Sequence, residues 1–166
     1  IEKIICNNKS IECIIKGKVY YSFYPTPRIK IKDLTINHLF ETKDALVTVK
    51  NVEIKLSIKN LLVKEKHKFK NIELNNFEIN FDLKNLKKYK NIFAKKIDLA
   101  PVTFAKGKII FSDGKDYVAT IDDASINLKF IQDSIDAILK GEFLNDNIYI
   151  NVNSKNVDNK VSTDII

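Results

Sequence analysis

Apolar and polar residues alternate with a period of two along most of the chain, which is the pattern of β-strands that bury one face. Long alternating runs begin at Ile29, Val47 and Phe69, and shorter ones follow at Ile109, Ile126 and Ile148. The pattern predicts a mainly β fold with a minor α component. We expect a curved antiparallel sheet with one or two short helices, forming an open groove or a half-barrel. No low-complexity linker divides residues 1–166, so a single domain is expected.

The alternation slips at one point in each of the three long runs. The slips fall within Ile31–Leu34, Val49–Val52 and Phe69–Ile72. They coincide with three similar segments, Lys32–Ile36, Lys50–Ile54 and Lys70–Leu74. Because a one-residue slip would turn every later side chain to the wrong face, a β-bulge must absorb it. The repeat therefore predicts three similar, bent strands.

A second repeat places a glycine directly after a lysine, in Lys16–Val19, Lys106–Ile109 and Lys140–Phe143. Each copy is expected to open a strand at a flexible point. The fourth glycine, Gly114, is typical of a hairpin turn, and Asn145–Asn147 indicates another.

Two stretches could contact a membrane surface. The residues from Asn80 to Lys96 have roughly helical spacing, which predicts a short amphipathic helix or a long connection. Its lysines could lie against anionic headgroups, although a solvated face is the simpler interpretation: Lys84, Lys87, Lys88, Lys95 and Lys96. Four aromatic residues before Pro25 indicate a membrane interface or, as we prefer, the edge of a core: Tyr20, Tyr21, Phe23 and Tyr24.

The net charge of +7 rests on lysine, because Arg28 is the only arginine among 28 basic residues. An excess of lysine, isoleucine and asparagine is what an AT-rich genome produces, so we do not expect nucleic acid to be a partner. No segment has the roughly 20 apolar residues of a membrane-spanning helix. The chain begins at Ile1 and has no methionine, which suggests a fragment of a longer protein.

Few side chains suggest catalysis or metal binding. His38 and His67 lack a histidine or cysteine partner at metal-ligand spacing, and turn-forming roles explain the pairs Asp113/Asp116 and Asp122/Asp123. We therefore expect no enzyme, no cofactor and no metal. Cys6 and Cys13 could form a disulfide or could be two small buried side chains.

The informative feature is instead a broad apolar surface. Strands of this kind would place their apolar side chains on one face, and few helices are available to cover it. Acyl chains suit such a groove, and a closed core is the alternative. The expected lining is Val52, Ile54, Leu56, Ile72, Leu74, Phe77, Ile79 and Phe81, although a slip before Phe77 could turn the last three to the other face.

The residues from Gly17 to Phe81 resemble the amino-terminal part of the bacterial AsmA-like family. The resemblance lies in the order of features: a strand opened by glycine, the aromatic-Pro-x-Pro-x-apolar segment Tyr24–Ile29, and then Ile31–Ile36, Ala45–Leu56, the turn at Leu61–Leu62, and Ile72–Phe81. Phe104–Phe111 and Ala119–Ala124 are similar to the family's downstream strands.

The resemblance implies an envelope protein, held in the inner membrane by a helix before Ile1 and otherwise periplasmic. It implies a role in outer-membrane assembly or in phospholipid transport along a hydrophobic β-groove, because the family is related to bridge-like lipid transfer proteins. The implied partners are phospholipid acyl chains, the membrane through that anchor, and other envelope proteins. Residues 1–166 would then be a single β-rich lobe of a longer chain, without a catalytic motif. A structural or protein-binding envelope module is the alternative.

Overall fold

A computed structural model of the chain describes residues 13–37, 45–57, 69–86, 89, 100–131, 134–157 and 160–165. Almost all of them belong to one large β-sheet that is not closed, which confirms the mainly β fold. The strands are β1 Cys13–Ile15, β2 Val19–Ser22, β3 Arg28–Asn37, β4 Ala45–Leu56, β5 Phe69–Asp82, β6 Val102–Asp113, β7 Asp116–Ile131, β8 Ser134–Phe143, β9 Asp146–Val157 and β10 Lys160–Ile165.

The strands follow one another across the sheet in chain order. β1 and β2 both pair with β3, but with different segments of that strand. They therefore share one edge position, and the ten strands occupy nine positions in the sheet. Gly17 separates these two short strands, as its repeat predicted.

The sheet is mainly antiparallel, as predicted, and the exception among the described strands is the parallel pair β5 and β6. A parallel pair cannot be joined by a tight turn and needs a longer crossover. Residues 83–101 separate the two strands and provide it. This segment begins with a 3-10 turn at Leu83–Asn85, whereas residues 80–82, which we placed in the same connection, still belong to β5. Apart from Tyr89, the remainder of the predicted helix, residues 87–96, lies outside the described residues.

Both predicted hairpin turns are present. Gly114 has φ +67° between β6 and β7, and Leu144 and Asn145 have φ +53° and +66° between β8 and β9. Positive φ at the centre of a two-residue turn matches the right-handed twist of the flanking strands.

Two of the repeated glycines do not open strands, contrary to the prediction. Gly107 and Gly141 lie inside β6 and β8. At Gly107 the reason is a close approach: a Cβ atom there would collide with the ring and with the backbone carbonyl oxygen of Phe77. Only glycine leaves room for a side chain to lie across the strand at this point.

Candidate functional site

Cross-strand register places the apolar side chains of successive strands on one face of the sheet, which we call the apolar face. One row runs from Ile29 through Ile54, Ile72 and Val102 to Leu128, each residue directly opposite the next. Directly opposite residues project to the same side of a sheet. The row continues through Ala137 in β8 and Val152 in β9, so the apolar face extends from β3 to β9.

A line of irregular residues crosses the sheet and keeps the apolar face continuous. Asp33, Asn76, Lys106 and Asp123 all have positive φ, between 44° and 58°, in β3, β5, β6 and β7. Ile31 and Leu34 both lie opposite apolar residues of β4, namely Val52 and Val49. The slips predicted within Ile31–Leu34 and Val49–Val52 therefore exist, and bulges absorb them.

The third predicted slip, in β5, is also present. A second irregularity in β5 determines which face Phe77 and Ile79 occupy. The β4–β5 register shifts between Lys55 and Leu56, where Leu56 meets Phe69. Asn76, with φ +55°, then absorbs the slip before Phe77. Phe77 and Ile79 consequently lie opposite Val49 and Val47, on the same face as the first half of the strand.

All eight residues predicted to line a groove therefore share one face. Five of them are buried in the core cluster, namely Val52, Ile54, Leu74, Phe77 and Ile79. Leu56, Ile72 and Phe81 are half-buried. The core is closed most tightly over β3–β6, where Ile31, Leu34, Val47 and Val49 are buried as well.

The accessible part of the apolar face lies further along the sheet, over β7–β9. Ile121 and Ala124, in the first half of β7, are still buried in the core cluster. The remaining apolar side chains there are half-buried: Ile126, Leu128, Phe130, Ile135, Leu139, Ile148 and Ile150. Our lining set did not include them, although their alternation in the sequence marked the strands. The sequence does not show which part of the sheet is covered by other segments of the same protein.

The opposite face is polar and held by ion pairs. Arg28 Nη1 lies 2.9 Å from Glu53 Oε1, and Lys30 Nζ lies 3.4 Å from the same oxygen. Partial burial acts to raise the pKa of Glu53, but these two cations outweigh it and hold the pKa below its ordinary value of 4.5. Lys108 Nζ contacts Glu78 Oε2 at 3.1 Å in the same way. The two faces thus differ sharply in chemistry.

A groove of about 680 Å³ follows the line of bulges. Its charged lining residues are balanced, with lysines and carboxylates in equal number: Lys16, Lys50, Lys106 and Lys108 against Asp33, Glu78, Asp122 and Asp123. Opposite charges on neighbouring strands stabilise pairing. Strand pairing therefore explains the charged residues of the groove, and the groove carries no excess of positive or negative charge.

The lysines predicted to contact a membrane surface are only partly described. Lys84 lies in the 3-10 turn, and its Nζ is 3.1 Å from Asp113 Oδ1, an ion pair that raises the pKa of Lys84. Asp82 Oδ1 accepts hydrogen bonds from the backbone N–H groups of Gly114 and Lys84, which lower its pKa. These contacts tie the turn to the β6–β7 hairpin. Lys87, Lys88, Lys95 and Lys96 lie outside the described residues.

Tyr89, which follows the 3-10 turn in the chain, packs on the apolar face. Its ring meets Phe81 edge to face, with 5.4 Å between the ring centres. Its hydroxyl accepts a hydrogen bond from the backbone N–H of Asp82 at 3.4 Å, and burial raises the pKa of Tyr89. At this corner the protein's own chain covers the apolar face.

Other chemistry is sparse in the described part of the chain. Within those residues no three histidine, cysteine or acidic side chains are grouped to hold a metal ion, and no helix is long and apolar enough to cross a membrane. Asp113 serves the ion pair with Lys84, and Asp123 is a bulge residue. His38 and His67 lie outside the described residues.

Cys13 is disulfide-bonded. The only other cysteine of the sequence, Cys6, lies outside the described residues. The alternative of a free, buried Cys13 is therefore wrong.

No family model and no curated protein matches this chain. The resemblance to the AsmA-like family therefore rests on the quoted residues and stays a prediction.

Proposed function

We propose that the chain is part of a non-catalytic bacterial envelope protein whose apolar sheet face accommodates the acyl chains of phospholipids. The observation that carries the proposal is the continuity of the apolar face across β3–β9, maintained by left-handed residues in β3, β5, β6 and β7. A sheet of this width has to cover its apolar side. Acyl chains meet that need with little hydrogen-bonding specificity.

The half-buried region over β7–β9 is where a lipid would first make contact. Cross-strand pairs there are apolar on both strands, as at Ile126 with Leu139 and Phe130 with Ile135. Contact with water costs such surface about 25 cal/mol per Å². The neighbouring positions on the other face are polar except Ile138, which lies opposite Asn127, so a lipid would prefer one side of the sheet. From there it would extend towards the residues predicted from the sequence.

Two further features agree with an envelope location. The disulfide at Cys13 fits an oxidising compartment such as the periplasm. The resemblance to the AsmA-like family implies the same compartment, an inner-membrane anchor outside these residues and a role in outer-membrane assembly.

A structural or protein-binding envelope module with a closed core is the second candidate. The burial of Phe77, at 3% exposure, and of Ile54, at 2%, favours it over β3–β6, because no ligand can touch these side chains without displacing what covers them. The two candidate functions differ in one respect: a lipid-binding protein would hold acyl chains against the apolar face, and a closed module would not.

Native mass spectrometry of the chain purified from a lipid-rich host tests the proposal. Leu128 and Asn127 are neighbours in β7 on opposite faces and are both half-buried. Leu128→Lys should remove co-purified phospholipid, whereas Asn127→Lys should retain it. Absence of lipid from the parent chain, or equal loss in both variants, would favour the closed module.

A further inference from the structure

The edge strand β2 and the turn that follows it carry four exposed aromatic side chains. Phe23 is 73% exposed and Tyr24 is 88% exposed, and Tyr20 and Tyr21 are exposed as well. The preferred interpretation of these residues as a core edge is therefore wrong. Exposed clusters of large apolar side chains mark interaction surfaces on soluble domains.

The exposure follows from the position of β2. Among the described residues this strand of four residues pairs only with β3, so no described strand lies beyond it in the sheet. Tyr21 lies opposite Ile29 and borders the apolar face, whereas Tyr20 lies opposite Lys30 on the polar face. The aromatic rings thus surround the edge from both sides.

Two lysines stand beside these rings in an unfavourable arrangement. The backbone N–H of Lys32 donates to the carbonyl of Lys18 at 3.1 Å, so the two residues face each other across β2 and β3. Both are exposed, and neither takes part in an ion pair with any described residue. Like charges directly opposite each other destabilise strand pairing. An external anion would remove that cost.

The charged residues around Lys18 and Lys32 are also mostly positive. Around β2 and the facing part of β3 there are five cations and two carboxylates: Lys16, Lys18, Arg28, Lys30 and Lys32 against Asp33 and Glu53. Glu53 is already occupied by Arg28 and Lys30. The cationic excess therefore centres on the pair Lys18 and Lys32.

We propose that this edge docks on the anionic surface of a lipid bilayer. The edge patch consists of Lys18, Tyr20, Tyr21, Phe23, Tyr24 and Lys32. Amphipathic aromatic rings settle at the headgroup level of a membrane, and lysines beside them contact anionic headgroups. A protein partner fits less well, because lysine is depleted in the buried centres of protein interfaces.

Docking and acyl-chain binding involve different residues and are separable. The edge patch would bind vesicles without extracting lipid, and the apolar face could hold a lipid with the edge patch removed. Since Tyr21 borders the apolar face, a docked edge would bring the bilayer to the end of that face.

Vesicle flotation of the 166-residue chain tests the docking, using phosphatidylcholine vesicles with and without phosphatidylglycerol. The parent should float with the anionic vesicles. Phe23→Ala with Tyr24→Ala should weaken binding at least about tenfold, because the rings lose apolar contact with the bilayer. Lys18→Gln with Lys32→Gln should weaken it about 30-fold, since each lysine contributes roughly fivefold near an anionic surface.

Matched control pairs come from the far hairpins. Tyr117 and Leu144 are 69% and 77% exposed, so Tyr117→Ala with Leu144→Ala removes comparable apolar surface. Lys115→Gln with Lys129→Gln removes equal charge from exposed positions. The control pairs should bind like the parent. Equal binding to neutral vesicles, no binding at all, or equal losses in the control pairs would overturn the proposal.

Discussion

Asp33→Val should destabilise the sheet even though valine is the better strand former. Asp33 has φ +53° and is the residue that lets Ile31 and Leu34 both face the core. A β-branched residue is strongly disfavoured at positive φ. If the valine took an extended conformation instead, the side chains would alternate strictly through it, and Leu34 and Ile36 would turn to the polar face.

The magnitude follows from the less costly of these two outcomes. Turning out Leu34 and Ile36 would cost about 3–6 kcal/mol, at about 1.5–3 kcal/mol for each side chain. Holding a valine in the left-handed conformation costs about 1–2 kcal/mol. The strand should therefore keep the left-handed residue, and Asp33→Val should cost about 1–2 kcal/mol and lower the urea midpoint by about 0.5–1 M.

Asp33→Gly provides the control, because it also removes the carboxylate but adopts positive φ without strain. Equilibrium urea unfolding followed by far-ultraviolet circular dichroism should place this variant within about 1 kcal/mol of the parent. Asp33→Val should be the least stable of the three proteins. A valine variant as stable as Asp33→Gly would show that the left-handed residue does not maintain the face.

Two further predictions concern packing and pH. Gly107→Val should lower the melting temperature, because its Cβ would collide with both the ring and the backbone carbonyl oxygen of Phe77, and overpacking costs about 1–3 kcal/mol. Adding Phe77→Ala removes the ring but not the carbonyl oxygen, so the two losses should be less than additive while part of the loss from Gly107→Val remains. Strict additivity would mean that the ring does not occupy the space over the glycine. Arg28 and Lys30 lower the pKa of Glu53 in the folded state. The ionised Glu53 therefore stabilises the fold above its ordinary pKa of 4.5, and this stabilisation is lost as the pH falls through the folded-state pKa. Glu53→Gln should therefore lower the urea midpoint at neutral pH but not in acid, and an unchanged pH dependence would contradict this role.

The strands and most of the bulges could be predicted from the alternation itself. The slips at Ile31–Leu34 and Val49–Val52 left a visible change of phase, because buried and exposed positions differ in residue type. The direction of the slip before Phe77 was ambiguous, since Asn75 and Asn76 are both polar and only the backbone shows which one is left-handed.

Features that depend on distant parts of the chain could not be predicted in the same way. The parallel pairing of β5 and β6 joins segments separated by residues 83–101, and each strand alternates as it would in an antiparallel pair. Burial was also misjudged at both ends of the sheet. Tyr24 looked like a core residue because nothing in the local sequence reveals that β2 is an edge, and Leu128 was passed over for the same kind of reason.

A scan with single tryptophans along β7 would decide whether the apolar face takes up acyl chains. The chain contains no tryptophan, so each introduced one is a unique fluorescent reporter. Phospholipids brominated on their acyl chains should quench Ile126→Trp and Leu128→Trp strongly and Asn127→Trp and Lys129→Trp weakly, repeating with a period of two. Quenching that is absent, or equal at all four positions, would contradict a lipid-bearing face.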